Sequence, residues 1–308
     1  MTNKYLLNAY VGKNEFWRYL IMIIALFAAT QIGSVPYGII AGIKAMKKGI
    51  DMNTGNLTNF ELLGIDPNLG LFLMLLSFVF GFFAIWFLVK PLHQRSIKTV
   101  LTSREQFNWG RFFFAVGVWG GMMILSFVIS YLVEPEKIHF QFNAQQFIVL
   151  VIVTVSCLSL QSAFEEILFR GYLQQGLAVL TKNTWIPLLL TSITFGLLHI
   201  ANPEVKEYGV AIMLPQYMIL GLTLAILTIM DDGLELAIGV HVVNNVLSAL
   251  LVTHDSSVLQ TPALFKIDTV DPVGSLYEIL IVSIIFISIM SYKYKWGSIK
   301  KLFISVKQ

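Results

Sequence analysis

The feature that most constrains this chain is a series of eight apolar runs, at about 16–43, 69–89, 112–133, 147–160, 185–200, 210–230, 234–252 and 275–292. Most approach or exceed the roughly 20 residues that a helix needs to cross about 30 Å of hydrocarbon. A soluble core does not need repeated runs of that length. A bilayer does, because backbone polar groups in hydrocarbon must be satisfied within the segment that carries them. Composition agrees: 56% of the residues are hydrophobic and 13% charged, where a soluble domain has about 45–50% and about 25%. The expected fold is all-α, a polytopic integral membrane protein of about eight transmembrane helices enclosing an intramembrane cavity. Residues 1–308 form one membrane domain, with a core at 147–252 and peripheral helices and tails at 1–133 and 275–308.

Charge gives the orientation. Lys90, Arg95, Lys98, Arg104 and Arg111 sit in the second connection, and Lys293, Lys295, Lys300, Lys301 and Lys307 follow the last run. The positive-inside rule puts both groups, and both termini, in the cytoplasm, with about 15 Lys and Arg inside against about 6 outside. Lys44, Lys47 and Lys48 fall on the wrong side in that scheme. A bacterial cell membrane is the expected location. The first run follows Lys4, Lys13 and Arg18 as in a secretory signal, but it is long and has no small-residue cleavage site, so an uncleaved helix is expected. The net charge of +3 is too small to suggest a nucleic-acid partner. Cys157 is the only cysteine, which suits an inert packing thiol and excludes an intramolecular disulfide. Nor does the carboxyl end hold a cysteine for prenylation. Asn56-Leu57-Thr58 is a formal glycosylation sequon within loop-like composition.

The stretch Ser162-Ala-Phe-Glu-Glu-Ile-Leu-Phe-Arg-Gly-Tyr172 breaks the apolar pattern. Ionisable residues at membrane depth are costly and usually functional. Glu165 and Glu166 are consecutive, so on a helix they point about 100° apart and take different surroundings. Arg170 follows Glu166 by four residues, the favourable order for a helical ion pair. Glu165 is then left to face a cavity with Phe169 on its side. The bland reading of the stretch is a capping box, Ser162 with Glu165. His199 follows Phe195 by four residues and, taken alone, would serve as a helix C-cap or interfacial histidine. His241 and Asn245 share one helical face, with Asn244 beside it, and alone would be an interhelical hydrogen-bonding pair. Together, a carboxylate on one span, a histidine on a second and a histidine with an amide on a third can line one pocket. They supply a base for water and donors for an oxyanion, as peptide hydrolysis requires. Asp231 and Asp232 fit a turn before Gly233, and His93, His139 and His254 fall in or beside loops with no expected role. No zinc-protease helix, serine-hydrolase elbow or phosphate-binding loop is present.

In their order, Glu165-Glu166-x-x-x-Arg170, Phe195-x-x-x-His199 and His241-x-x-x-Asn245 resemble the CAAX-protease and bacteriocin-processing family of intramembrane proteases, which includes the Ras-converting enzyme and bacterial Abi proteins. The resemblance implies a membrane protease with a conical cavity. In it Glu165 and His199 activate water, His241 and Asn245 form the oxyanion site, and Glu166 and Arg170, with Phe195, support the pocket. The substrate would be a membrane-associated peptide or protein, prenylated CaaX-type or bacteriocin-like, met in the lipid bilayer. No cofactor is required on this reading. A zinc-dependent alternative would use Glu165, His199 and His241 as Zn²⁺ ligands. Buried Glu, His and Arg also suit a transporter or proton relay, and a non-catalytic immunity or scaffold protein would keep the same fold.

Overall fold

In the computed structural model, residues 3–51 and 59–306 are described, and the Asn56 sequon and Lys307 lie outside them. Each expected run maps onto one helix, with the fifth and seventh runs overshooting theirs by one or two residues: α1 Phe16–Lys48, α2 Pro67–His93, α3 Trp109–Val133, α4 Ala144–Thr181, α5 Trp185–Leu198, α6 Val210–Asp231, α7 Glu235–Leu251 and α8 Pro272–Lys293. The protein is an all-α polytopic membrane protein. Six of these helices are long and apolar enough to cross a membrane, and α5 and α7 are shorter apolar helices. Local chemistry sets several boundaries. Asp66 caps α2, its carboxylate accepting from Leu69 N, and Pro67 occupies the first turn, where its missing N–H costs nothing. Asn108 and Asn143 cap α3 and α4 in the same way. Gly49, at φ +65°, ends α1 in the left-handed region that glycine enters freely.

One expectation is corrected. Ser162 does not cap a helix: α4 runs through it without interruption, and its Oγ donates to Leu158 O at 3.1 Å. The motif is instead framed by two wide π-helical segments, Thr154–Leu158 and Ile167–Leu173, on either side of the α-helical turns Ser159–Glu166. Such π segments recur at functional sites because they re-aim side chains without breaking the helix.

α4 is the axis of the bundle. Its middle packs against α2 and α7, its far half touches α5, and α1, α3 and α8 lie further out. The outer helices turn large apolar side chains such as Phe27, Phe87 and Leu132 outward, as a lipid-facing surface requires. Close backbone approach holds the outer layer: a Cβ at Gly33 would lie 2.6 Å from Leu76 O, so only glycine lets α1 reach α2 there.

At the end carrying both termini, the short helix Lys4–Leu7 is folded under the bundle with Tyr5 and Leu6 fully buried. Asp231 exceeds its expected role as a turn residue. It is buried, pairs with Arg104 at 3.0 Å and with Arg111, and accepts from Trp296 Nε1 at 3.0 Å. Fully buried Glu235 adds a second bond to Arg104 at 3.0 Å. Asp232 makes the turn itself, at φ 57°.

At the opposite end, three strands that the sequence did not announce form a small sheet in the order β1-β3-β2, from β1 Ile138–Phe140, β2 Val252–Thr253 and β3 Phe265–Ile267. β3 is antiparallel to β1 and parallel to β2. Strands of two or three residues are too short to show alternation. The misplaced lysines also find a local reason here, because Lys44 Nζ donates to Gly64 O at 3.1 Å and Lys48 Nζ to Leu62 O at 2.8 Å.

Gly33→Leu is expected to destabilise the protein by about 1–3 kcal/mol through overpacking. Gly38→Leu, where a Cβ meets nothing within 4 Å, is expected to leave thermal unfolding in detergent unchanged.

Candidate active site

The three polar groups of the sequence do meet. α4 carries Glu165, Glu166 and Arg170, α5 ends at His199, and α7 carries His241, Asn244 and Asn245. Between them lies a cavity of about 680 Å³ whose wall includes Gln161, Glu165, Phe169, Phe195, His199 and Asn245. His241, Glu166 and Arg170 stand behind that wall, buried.

The buried layer is an ion-pair network. Glu166 Oε1 accepts from Arg170 Nη1 at 2.8 Å and from His241 Nδ1 at 2.7 Å. Arg170 Nη2 donates to Gly221 O at 3.2 Å, and its guanidinium lies 4.2 Å over the Phe195 ring. The other face of His241 presents Nε2 to Glu165 Oε2 at 3.7 Å. The guanidinium and the imidazole N–H together give the buried Glu166 carboxylate the partners that a charge needs where solvation is poor.

The cavity layer is more open. Glu165 Oε1 accepts from Gln161 Nε2 at 2.5 Å, while Oε2 has no hydrogen-bond partner among the described residues. His199 is the C-cap of α5, and its Nδ1 bonds Phe195 O at 2.8 Å. A carbonyl accepts only, so Nδ1 carries the proton and the Nε2 lone pair remains available. The imidazole stacks on Tyr217 with centroids 4.2 Å apart. Asn245 Nδ2 donates to Gln161 Oε1 at 3.1 Å and to Ser162 Oγ at 3.2 Å. Asn244 in turn donates to Asn245 Oδ1 at 3.2 Å, which fixes which way that amide faces.

Sequence reasoning missed part of the wall. Gln161 lies one turn before Glu165, a spacing that could have flagged it. Tyr217 comes from α6, Asn202 and Glu204 from the cap and first turn of the short helix Pro203–Tyr208 beyond α5, and His254 from the loop beyond α7, and only tertiary structure assembles them. Burial raises the Glu204 carboxyl above its usual range and lowers the His254 imidazole below its own. Each keeps one buried side-chain atom without a hydrogen-bond partner, Oε2 and Nδ1 respectively.

Among the described residues no group of three or more His, Cys, Asp and Glu is arranged to hold a metal ion. Of the three ligands that a zinc reading names, His241 gives Nδ1 to Glu166 and turns Nε2 toward Glu165.

Residues 138–247 match the family model for type II CAAX prenyl endopeptidase, Rce1-like, in agreement with the resemblance of the motifs. The chain is also 29% identical over 298 residues to the uncharacterized protein YyaK of Bacillus subtilis (strain 168), covering 94% of this chain and 96% of that one. No solved structure matches significantly.

Arg170→Met leaves Glu166 buried without its cation and is expected to cost about 3–5 kcal/mol. Adding Glu166→Gln is expected to recover part of that loss. A double-mutant cycle by thermal unfolding in detergent reads both.

Proposed function

We propose that this chain, which carries the Rce1-like segment, is an intramembrane endopeptidase of the glutamate type, hydrolysing a peptide bond in a membrane-associated substrate. The observation that carries the reading is Glu165: it lines the cavity with one oxygen held by Gln161 and the other without a partner, facing His241 Nε2. A general base must present a free lone pair to water at a defined place.

In the proposed reaction a water is held between Glu165 and His199 Nε2. Glu165 takes its proton as the oxygen attacks the scissile carbonyl carbon. The carbonyl π electrons move onto oxygen, giving a tetrahedral oxyanion. Asn245 Nδ2, released from Gln161, donates to that oxyanion, and His241 joins it through Nε2–H as Glu165 turns toward the water. The C–N bond then breaks, and the amine leaves with the proton that Glu165 had taken. Glu166 and Arg170 touch neither water nor substrate in this scheme. They hold His241 by its Nδ1–H, and with Nε2 also bearing hydrogen the ring acts in this scheme as an imidazolium. No step passes through a metal.

The family description names prenylated CaaX chains as the substrate class of that family. Membrane-anchored peptides of both kinds, prenylated and unmodified, are the substrates for a direct assay.

Glu165→Ala is expected to fold and to lose cleavage by about 10²–10⁴-fold, with activity of the unsubstituted protein surviving a strong chelator. Full activity of the variant would refute the base assignment, and loss on chelation, restored by zinc, would refute the metal-free chemistry. Asn245→Ala is expected to lower kcat by about 10²–10³-fold with little change in KM, the signature of a donor used mainly in the transition state.

A further inference from the structure

The place of the cavity along the bundle bears on the substrate. Its outer wall is built from the ends of helices that lie together: Met74 and Leu75 near the start of α2, Leu198 and His199 at the end of α5, and Ala249 with His254 at and beyond the end of α7. No residue from the end carrying the termini lines it. That other end is closed. Tyr5, Val100, Arg170 and Leu234 are fully buried there. The Tyr5 hydroxyl donates to Val100 O at 2.5 Å and lies 3.2 Å from Arg170 O, and Gln175 Nε2 donates to Tyr5 O at 3.1 Å. The N-terminal helix Lys4–Leu7 therefore seals the bundle beneath the motif.

Charge then distinguishes the two ends. Among the described Lys and Arg, only Lys44, Lys47, Lys48, Lys137, Lys206 and Lys266 lie at the open end. Lys44 and Lys48 are engaged by local carbonyls, and Lys266 by Asp255 at 2.9 Å. Arg170 is inside the bundle, and the remaining ones among the described residues gather at the sealed end. Basic residues flanking spans are retained on the cytoplasmic side.

We propose that the cavity opens away from the cytoplasm. Its substrates are then membrane-anchored chains that display the cleavable stretch on the extracytoplasmic face, and cytoplasmic proteins with prenylated carboxyl termini are not among them. The wall fits such a chain. Met74, Leu75, Phe78 and Leu158 offer an apolar side to a segment leaving the bilayer, and Glu165 waits at the inner end. This inference rests on the peptidase reading for the word substrate, but the direction of the mouth does not.

The test uses the full-length protein in right-side-out membrane vesicles, with Cys157→Ser and one new cysteine, either Ser256→Cys at the open end or Ser96→Cys at the sealed end. A membrane-impermeant maleimide is expected to label Ser256→Cys at least tenfold faster than Ser96→Cys, and detergent is expected to remove the difference. The reverse order overturns the proposal. Asp255→Cys and Lys98→Cys repeat the comparison should either first variant fail to fold. A single-span reporter peptide is then displayed on one face or the other. Cleavage only of the outward display supports the substrate class, and cleavage of the inward display overturns it. Cleavage of neither, with Ser256→Cys labelled from outside, overturns the peptidase reading and leaves the direction of the mouth standing.

Discussion

Glu166 Oε1 accepts from Arg170 and from His241 at once, at 2.8 and 2.7 Å, in a place from which solvent is excluded. The rest of the site depends on this shared oxygen. It locks α7 to α4 through His241, and through Arg170 it ties α4 to the Gly221 carbonyl of α6 and to the Phe195 ring of α5. Four helices are thereby referenced to one carboxylate. A buried ion pair adds little net stability over apolar packing, while breaking one costs several kcal/mol. Its value here is geometric, since with Glu166 consumed Glu165 becomes the member of the consecutive pair that faces the cavity.

The sealed end follows from the same constraint. A network of buried charges tolerates little water on its blind side, and the folded N-terminal segment supplies the cover. Tyr5 closes on Val100 and Arg170, while Arg104 with Asp231 and Glu235 pins the turn between α6 and α7. The open end is held differently, by a small sheet and by Thr261 Oγ1 on Ala249 O at 2.7 Å. One end is fixed by charge and the other by backbone pairing, so the cavity has a defined mouth.

How much of this was legible in the sequence depended on the range of each interaction. The apolar runs marked α1 to α8, because length and hydropathy are local properties. Glu166 and Arg170 were readable as a pair from i, i+4 spacing, and the consecutive glutamates were readable as divergent. Ser162 misled, because a capping box and a mid-helix serine bonded to the carbonyl four residues back look alike in sequence. The placement of His241 behind the cavity wall could not be read, since it depends on which face α7 turns to α4. Tyr217, Glu204 and His254 were invisible for the same reason: each reaches the cavity from an element with no motif of its own.

The central claim, that Glu165 activates water and does not itself attack the substrate, is tested most directly by single-turnover cleavage in H₂¹⁸O. With enzyme in excess over a membrane-anchored peptide and a chelator present, the new carboxyl terminus is expected to carry one ¹⁸O, and the Glu165 peptide none. Label in Glu165 with an unlabelled product would reveal an acyl intermediate on the carboxylate and contradict the account.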